Sequence, residues 1–136
     1  MPTIHSKYLG DLRTEQQHVA SGQKFITDAP IDNHGKGEAI SPTDSVCAAL
    51  SACMMTLMGI AARTHEISLE GLQADVTKHM GADPRRIRAI DIRFYGFEQV
   101  PDAKQQMILE RAAKTCPVAM SLHPDLEQNI TFEFGD

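Results

Sequence analysis

Polar and apolar residues alternate in short stretches over the first 28 positions of the chain. Stretches 4–9, 12–19 and 24–27 have a β-type composition, and turn residues at 10–11 and 21–22 separate them. This pattern predicts three antiparallel strands. A loop over 29–40 follows, and a connection of about a dozen residues is long enough to favour a functional role.

A long helix is predicted to begin at Ser41. Ser41 is a capping residue, Pro42 suits the first helical position, and Asp44 places a carboxylate where the helix dipole favours an anion. Apolar residues then recur every three or four positions. This spacing predicts one buried helical face, formed by Val46, Leu50, Cys53, Leu57 and Ile60. Because most other positions are also apolar, we expect the helix to be buried centrally or at a subunit interface.

The second half of the chain has a mixed pattern. Alternating stretches over 72–77 and 90–95 predict two strands joined by a turn over 81–84. A second helix is predicted from about Asp102 toward Cys116, with Leu109, Ala112 and Ala113 on its apolar face. A final alternating stretch covers 129–134. The order βββ-α-ββ-α-β predicts an α+β fold in a single domain over residues 1–136.

Composition narrows the functional classes. The chain has 136 residues, of which 42% are hydrophobic and 23% charged, enough for one domain with a core. Its net charge of −5 argues against a nucleic-acid partner, since the only basic run is Arg85, Arg86 and Arg88. The weakly polar stretch 46–62 is shorter than the ~20 residues that span a bilayer, and no export signal is visible. We therefore expect a cytoplasmic protein with no membrane partner.

The three cysteines are Cys47, Cys53 and Cys116. Cys47 and Cys53 are ~9 Å apart along a helix, too far for a disulfide, and their spacing does not suit a metal site. Cys53 and Cys116 both lie on predicted apolar faces, so their thiols can meet within one chain or between two. The apolar periodicity alone is also consistent with Cys53 and Cys116 being inert thiols buried in the core. Cys47 is interpreted as a core or interface residue.

Two segments resemble signatures of the OsmC/Ohr hydroperoxide-reductase superfamily. Ser41-Pro42-Thr43-Asp44-Ser45-Val46-Cys47-Ala48-Ala49-Leu50-Ser51-Ala52-Cys53 resembles the helix-start signature, and Cys116-Pro117-Val118-Ala119-Met120-Ser121-Leu122 resembles the second one. The order of strands and loops is also similar along essentially the whole chain. The Ser-Pro-Thr form, in place of the Pro-Glu motif, resembles the OsmC-like branch.

The resemblance implies an α+β fold, with an antiparallel sheet and two central buried helices, in an intertwined homodimer with sites at the subunit interface. It also implies a thiol peroxidase for organic hydroperoxides and hydrogen peroxide, acting in oxidative-stress defence. Cys53 would attack the peroxide and become a sulfenic acid, and Cys116 would resolve it as a disulfide. An external dithiol would then reduce the disulfide. No organic cofactor or metal is implied.

Two supporting residues are expected from the same resemblance. In the peroxidase branches a glutamate, ten residues before the first cysteine, holds an arginine over the thiolate. That position is Thr43 here, which carries no charge, and Arg13 is the only arginine before the first helix. Two alternatives to catalysis stay open: a binding protein for an apolar ligand, with Met54, Met55 and Met58 lining a cavity, and a thiol redox sensor.

Overall fold

The structure is a computed structural model that describes residues 1–135. It contains two compact units, one formed by Met1–Val46 and the other by the chain from Cys47 onward. The class is α+β, as the order of elements predicts. The boundary between the units falls within the first long helix.

The first unit contains a three-stranded antiparallel sheet in the order β1-β2-β3. Its strands are β1 (Ile4–Gly10), β2 (Arg13–His18) and β3 (Lys24–Asp28), close to the predicted bounds. Arg13 and Asp28 face each other across the β2–β3 pair. A short 3-10 helix, Ile31–Asn33, lies in the loop that follows.

The helix α1 (Pro42–His65) begins where its capping residues predict. The backbone N–H of Asp44 donates to the Ser41 hydroxyl (3.1 Å), and the backbone N–H of Ser41 donates to the Asp44 carboxylate (3.1 Å). This reciprocal arrangement satisfies two N–H groups at the helix start.

The buried face of α1 differs from the predicted one. Leu50 is buried as expected, but Cys53 and Leu57 are only partly buried and Ile60 is 57% exposed. The fully or nearly buried positions are Cys47, Leu50, Met54, Met58 and Ala62. The predicted buried face was wrong. The sequence of α1 is apolar on every side, so no polar stripe marks which face is exposed.

The second unit contains a three-stranded sheet in the order β4-β5-β6. Its strands are β4 (Gln73–Gly81), β5 (Arg86–Tyr95) and β6 (Glu127–Phe132). β4 and β5 pair antiparallel as predicted, whereas β6 runs parallel to β5, so this sheet is mixed. Ile90, Ile92 and Phe94 are buried on its inner face. The basic run 85–88 lies at the start of β5, with Arg85 and Arg88 exposed.

Two helices complete the second unit. α2 (Ala103–Lys114) is capped by Asp102, whose side chain accepts from the Gln105 N–H. Its Leu109 and Ala113 are fully buried, as predicted. The short α3 (Pro117–Ser121) follows at once. The core formed by α1, α2 and β5 therefore surrounds Cys116, which has no exposed surface.

One helix in the described part of the chain, α1, has the length and composition of a membrane-crossing helix. This is weak evidence, because the core helix of a soluble protein meets the same criterion. Leu50, Met54 and Met58 of α1 are fully buried in the core of the second unit. Their burial is what a core helix requires.

Candidate functional site

The Cys53 side chain lies next to the Cys116 thiol within one chain. Cys53 lies in the middle of α1 and is partly exposed, whereas Cys116 is fully buried. Both are free thiols. Of the two arrangements that the sequence left open, the structure therefore contains the intrachain one.

The junction between α2 and α3 positions Cys116. Thr115 ends α2, and Pro117 occupies the first position of α3, where its missing N–H has no consequence. Cys116 itself has an extended backbone (φ −65°, ψ 153°) and caps α3. Its sulfur accepts a hydrogen bond from the Ala119 backbone N–H at 3.4 Å. The sulfur is therefore held in one orientation, next to Cys53.

The environment of Cys116 favours its protonated form. Burial raises the pKa of the Cys116 thiol, the Ala119 N–H partly opposes this, and the Cys53 side chain raises the pKa further. Burial has this effect because a thiolate loses its hydration in an apolar core. The Cys116 thiol therefore keeps its proton to a higher pH than an ordinary thiol does.

Cys47, the third cysteine, is 6% exposed and belongs to the hydrophobic core of the second unit. This confirms the core role predicted for it. Met54 and Met58 are core residues too, with no exposed surface. They contribute packing, so the apolar-ligand alternative receives no support from these two side chains.

Arg13, the predicted supporting cation, lies in the first unit, in β2. Its guanidinium pairs with the Asp28 carboxylate (Nε to Oδ1, 3.7 Å) and with the Glu38 carboxylate (3.9 Å). Asp28 is fully buried, and its other oxygen accepts from the Glu38 backbone N–H (3.0 Å). Arg13 is thus held by two carboxylates from β3 and the following loop.

Thr43, the second supporting candidate, lies in the first turn of α1, also within the first unit. Its hydroxyl shares a hydrogen bond with the Ser41 hydroxyl (3.3 Å).

The acidic partners of Arg13 are Asp28 and Glu38, neither of which was a candidate from the sequence. The one available signal was the alternation of β3, which ends on a charged residue.

Among residues 1–135, no group of three or more histidine, cysteine or acidic side chains is arranged to hold a metal ion.

Both the sequence and the fold are similar to those of known proteins. Residues 35–131 match the model of the family described as OsmC-like protein. A crystal structure of a Psychrobacter arcticus 273-4 protein, provisionally described as an osmotic-stress-induced and detoxification response protein, is similar with 49% identity and a TM-score of 0.93. The match covers 98% of this chain and 96% of that one. No curated protein sequence matches the chain.

Two more distant structures share the fold. An organic hydroperoxide resistance protein OsmC of Legionella pneumophila has 16% identity and a TM-score of 0.77, covering 98% of each chain. An OsmC-like protein of Mycoplasma pneumoniae has 16% identity and a TM-score of 0.79, covering 96% of this chain and 94% of that one.

Proposed function

Because the chain belongs to the OsmC-like protein family, we propose that it is a thiol-dependent peroxidase that reduces organic hydroperoxides and hydrogen peroxide. The observation that carries the proposal is the contact between a partly exposed Cys53 and a buried Cys116. The partial exposure of Cys53 would admit a peroxide, and the neighbouring Cys116 would resolve the oxidised sulfur. The physiological role would be defence against oxidative stress.

The first step uses Cys53. Its thiolate sulfur attacks one oxygen of ROOH, the O–O bond breaks, and the departing alkoxide takes a proton to become the alcohol. Cys53 is left as a sulfenic acid. Partial exposure suits this role, because the attacking sulfur must meet a substrate from solution.

The second step uses Cys116. Its thiol loses a proton, its sulfur attacks the Cys53 sulfur, and the S–O bond breaks with release of water. An external dithiol then reduces the Cys53–Cys116 disulfide, becoming a disulfide itself. Burial raises the pKa of the Cys116 thiol and so favours its protonated form before the reaction.

Arg13 and Thr43 keep the supporting roles that the resemblance assigns to them, as parts of the proposal. Arg13 would supply the positive charge that favours a thiolate, and Asp28 and Glu38 would hold its guanidinium where the peroxidase branches use one glutamate. Thr43 would contribute a hydrogen bond only. The proposal includes a cytoplasmic location, where a dithiol reductant is available.

A homodimer is also part of the proposal. One face of α1 in the second unit is exposed and carries small or apolar residues: Ala48, Ala52, Thr56 and Ile60. A second copy of the chain would cover this face, since large exposed apolar side chains favour association. Light scattering tests this directly. Ile60→Asp should shift the mass toward a monomer, while a monomeric wild-type protein would contradict it.

The activity is tested by peroxide consumption in the presence of a dithiol such as dihydrolipoamide or dithiothreitol. Cys53→Ser should abolish turnover, and Cys116→Ser, assayed without any dithiol, should consume one peroxide per site and keep a sulfenic acid on Cys53. The matched control is Cys47→Ser, a third cysteine in the same helix, which should retain turnover. Equal turnover by Cys53→Ser and the wild type would refute the proposal.

A further inference from the structure

A groove of about 470 Å³ lies in the second unit, between the end of α1 and one side of α2. Its lining residues are His65, Lys104, Met107, Ile108, Arg111, Ala112 and Thr115. Neither Cys53 nor Cys116 is among them, although Thr115 directly precedes Cys116 in the chain. Its volume is within the ordinary range of small-molecule sites.

The groove has a basic rim in an acidic protein. Three of its lining residues are basic and none is acidic, although the whole chain has a net charge of −5. Within residues 1–135, Lys104 and Arg111 take part in no ion pair. Lys104 also stands in the first turn of α2, where the helix dipole disfavours a cation. A contribution to the stability of α2 therefore does not explain the positive charge of Lys104.

The floor of the groove is apolar. Met107 is 69% exposed, which is unusual for a large apolar side chain, and Ile108 and Ala112 lie beside it on α2, partly buried. Met107 and Arg111 are four residues apart, as are Ile108 and Ala112, so they share one side of the helix. An unbranched apolar chain lying along this side would end beside the Arg111 guanidinium.

We propose that this groove binds an amphiphilic carboxylate, with its apolar chain on Met107 and Ile108 and its carboxylate on Arg111. The planar guanidinium offers two parallel N–H donors to a carboxylate, a geometry that an alcohol or an ammonium group cannot use. Lys104 adds positive potential beside it. Met107 suits a chain of variable length because its thioether side chain adapts to irregular shapes.

Decanoate is the probe, added to the full-length protein in its native oligomeric state. The methyl signals of methionines, labelled with ¹³C, report the position of binding, and Met107→Leu identifies the relevant signal. Decanoate should move the Met107 signal saturably, and Arg111→Gln should weaken binding roughly tenfold, the loss of one charge-assisted contact. Arg111→Lys should restore part of the affinity. Lys114→Gln, an exposed cation in the same helix outside the groove, is the matched control.

Decan-1-ol and decyltrimethylammonium separate charge recognition from apolar adsorption. Both should bind at least tenfold more weakly than decanoate if the carboxylate is recognised. Equal binding of the alcohol, an unchanged affinity in Arg111→Gln, or a shift at exposed Met120 in place of Met107 would each overturn the proposal. So would the absence of saturable binding, which would also be the result if a second copy covers the groove.

Discussion

The Cys116 sulfur accepts a hydrogen bond from the Ala119 N–H at 3.4 Å and lies next to the Cys53 side chain. The two cysteines are therefore neighbours inside one chain, and they differ in access: Cys53 is partly exposed and Cys116 has no exposed surface. Several consequences of this difference, and of other contacts in the fold, are open to measurement.

The first prediction concerns alkylation of the reduced protein. Iodoacetamide should modify Cys53 roughly tenfold or more faster than Cys116 or Cys47, since buried thiols meet the reagent only after local opening. Peptide mapping by mass spectrometry measures the three rates. In denaturant the three rates should converge. Faster labelling of Cys116 than of Cys53 in the native protein would reverse the assignment of attacking and resolving sulfur.

A second prediction concerns stability at alkaline pH. Burial raises the pKa of the Cys116 thiol above its ordinary value of 9.0. Between that value and the raised one, the unfolded chain loses this proton and the folded chain keeps it, so the free energy of unfolding falls as pH rises. Below the ordinary value the contribution is fully present. Urea titrations should show a shallower alkaline decline in Cys116→Ala.

The matched control for that measurement is Leu109→Ala. This change lowers the free energy of unfolding without removing a thiol, so its alkaline slope should equal that of the wild type. An identical slope in Cys116→Ala would show that Cys116 does not cause the decline.

Asp28 should stabilise the first unit through Arg13. Asp28→Asn removes a fully buried charge whose pairing with Arg13 spans 3.7 Å, and we expect a loss of about 1–3 kcal/mol. Glu15→Gln is the control, because the Lys24–Glu15 pair is partly exposed to solvent on both sides and surface pairs contribute about 0–1 kcal/mol. Chemical denaturation measures both. Equal losses would contradict a special role for the buried carboxylate.

Two residues on α2 provide a test of the core. Leu109 is fully buried and Met107 is 69% exposed. Leu109→Ala should cost about 2–5 kcal/mol, since it leaves a cavity, whereas Met107→Ala should change stability by less than about 0.5 kcal/mol. Thermal or urea unfolding of the two variants gives the comparison. A large loss in Met107→Ala would mean that this side chain is covered in the native assembly.

The two helices show what the sequence pattern can and cannot predict. In α2, polar residues mark the outer face, so the buried positions Leu109 and Ala113 follow from spacing. In α1, every face is apolar, and the predicted face through Cys53 and Ile60 was wrong. Packing against α2 and β5, which no local pattern reports, decides which residues of α1 are buried.

The sequence pattern also did not predict which distant segments pair with each other, or in which direction. The alternation of residues 129–134 indicates a strand, which the structure places at Glu127–Phe132, but it does not indicate that the strand runs parallel to β5. The Arg13–Asp28 pair likewise depends on the register between β2 and β3. Asp28 was therefore absent from the candidate residues, although Arg13 itself was named. Local signals such as the Ser41 cap and the Pro117 break were sufficient to predict where α1 begins and where α2 ends, because each acts within one turn of the helix.

The central claim is that peroxide converts the Cys53–Cys116 contact into a disulfide through a sulfenic acid on Cys53. One equivalent of cumene hydroperoxide, added to the reduced protein without any dithiol, tests it by intact mass and peptide mapping. We predict the loss of two hydrogens in the wild type with a Cys53–Cys116 linked peptide, and a gain of one oxygen on Cys53 in Cys116→Ser. An unchanged mass, or oxidation that falls first on Cys47 or on methionine, would contradict the account.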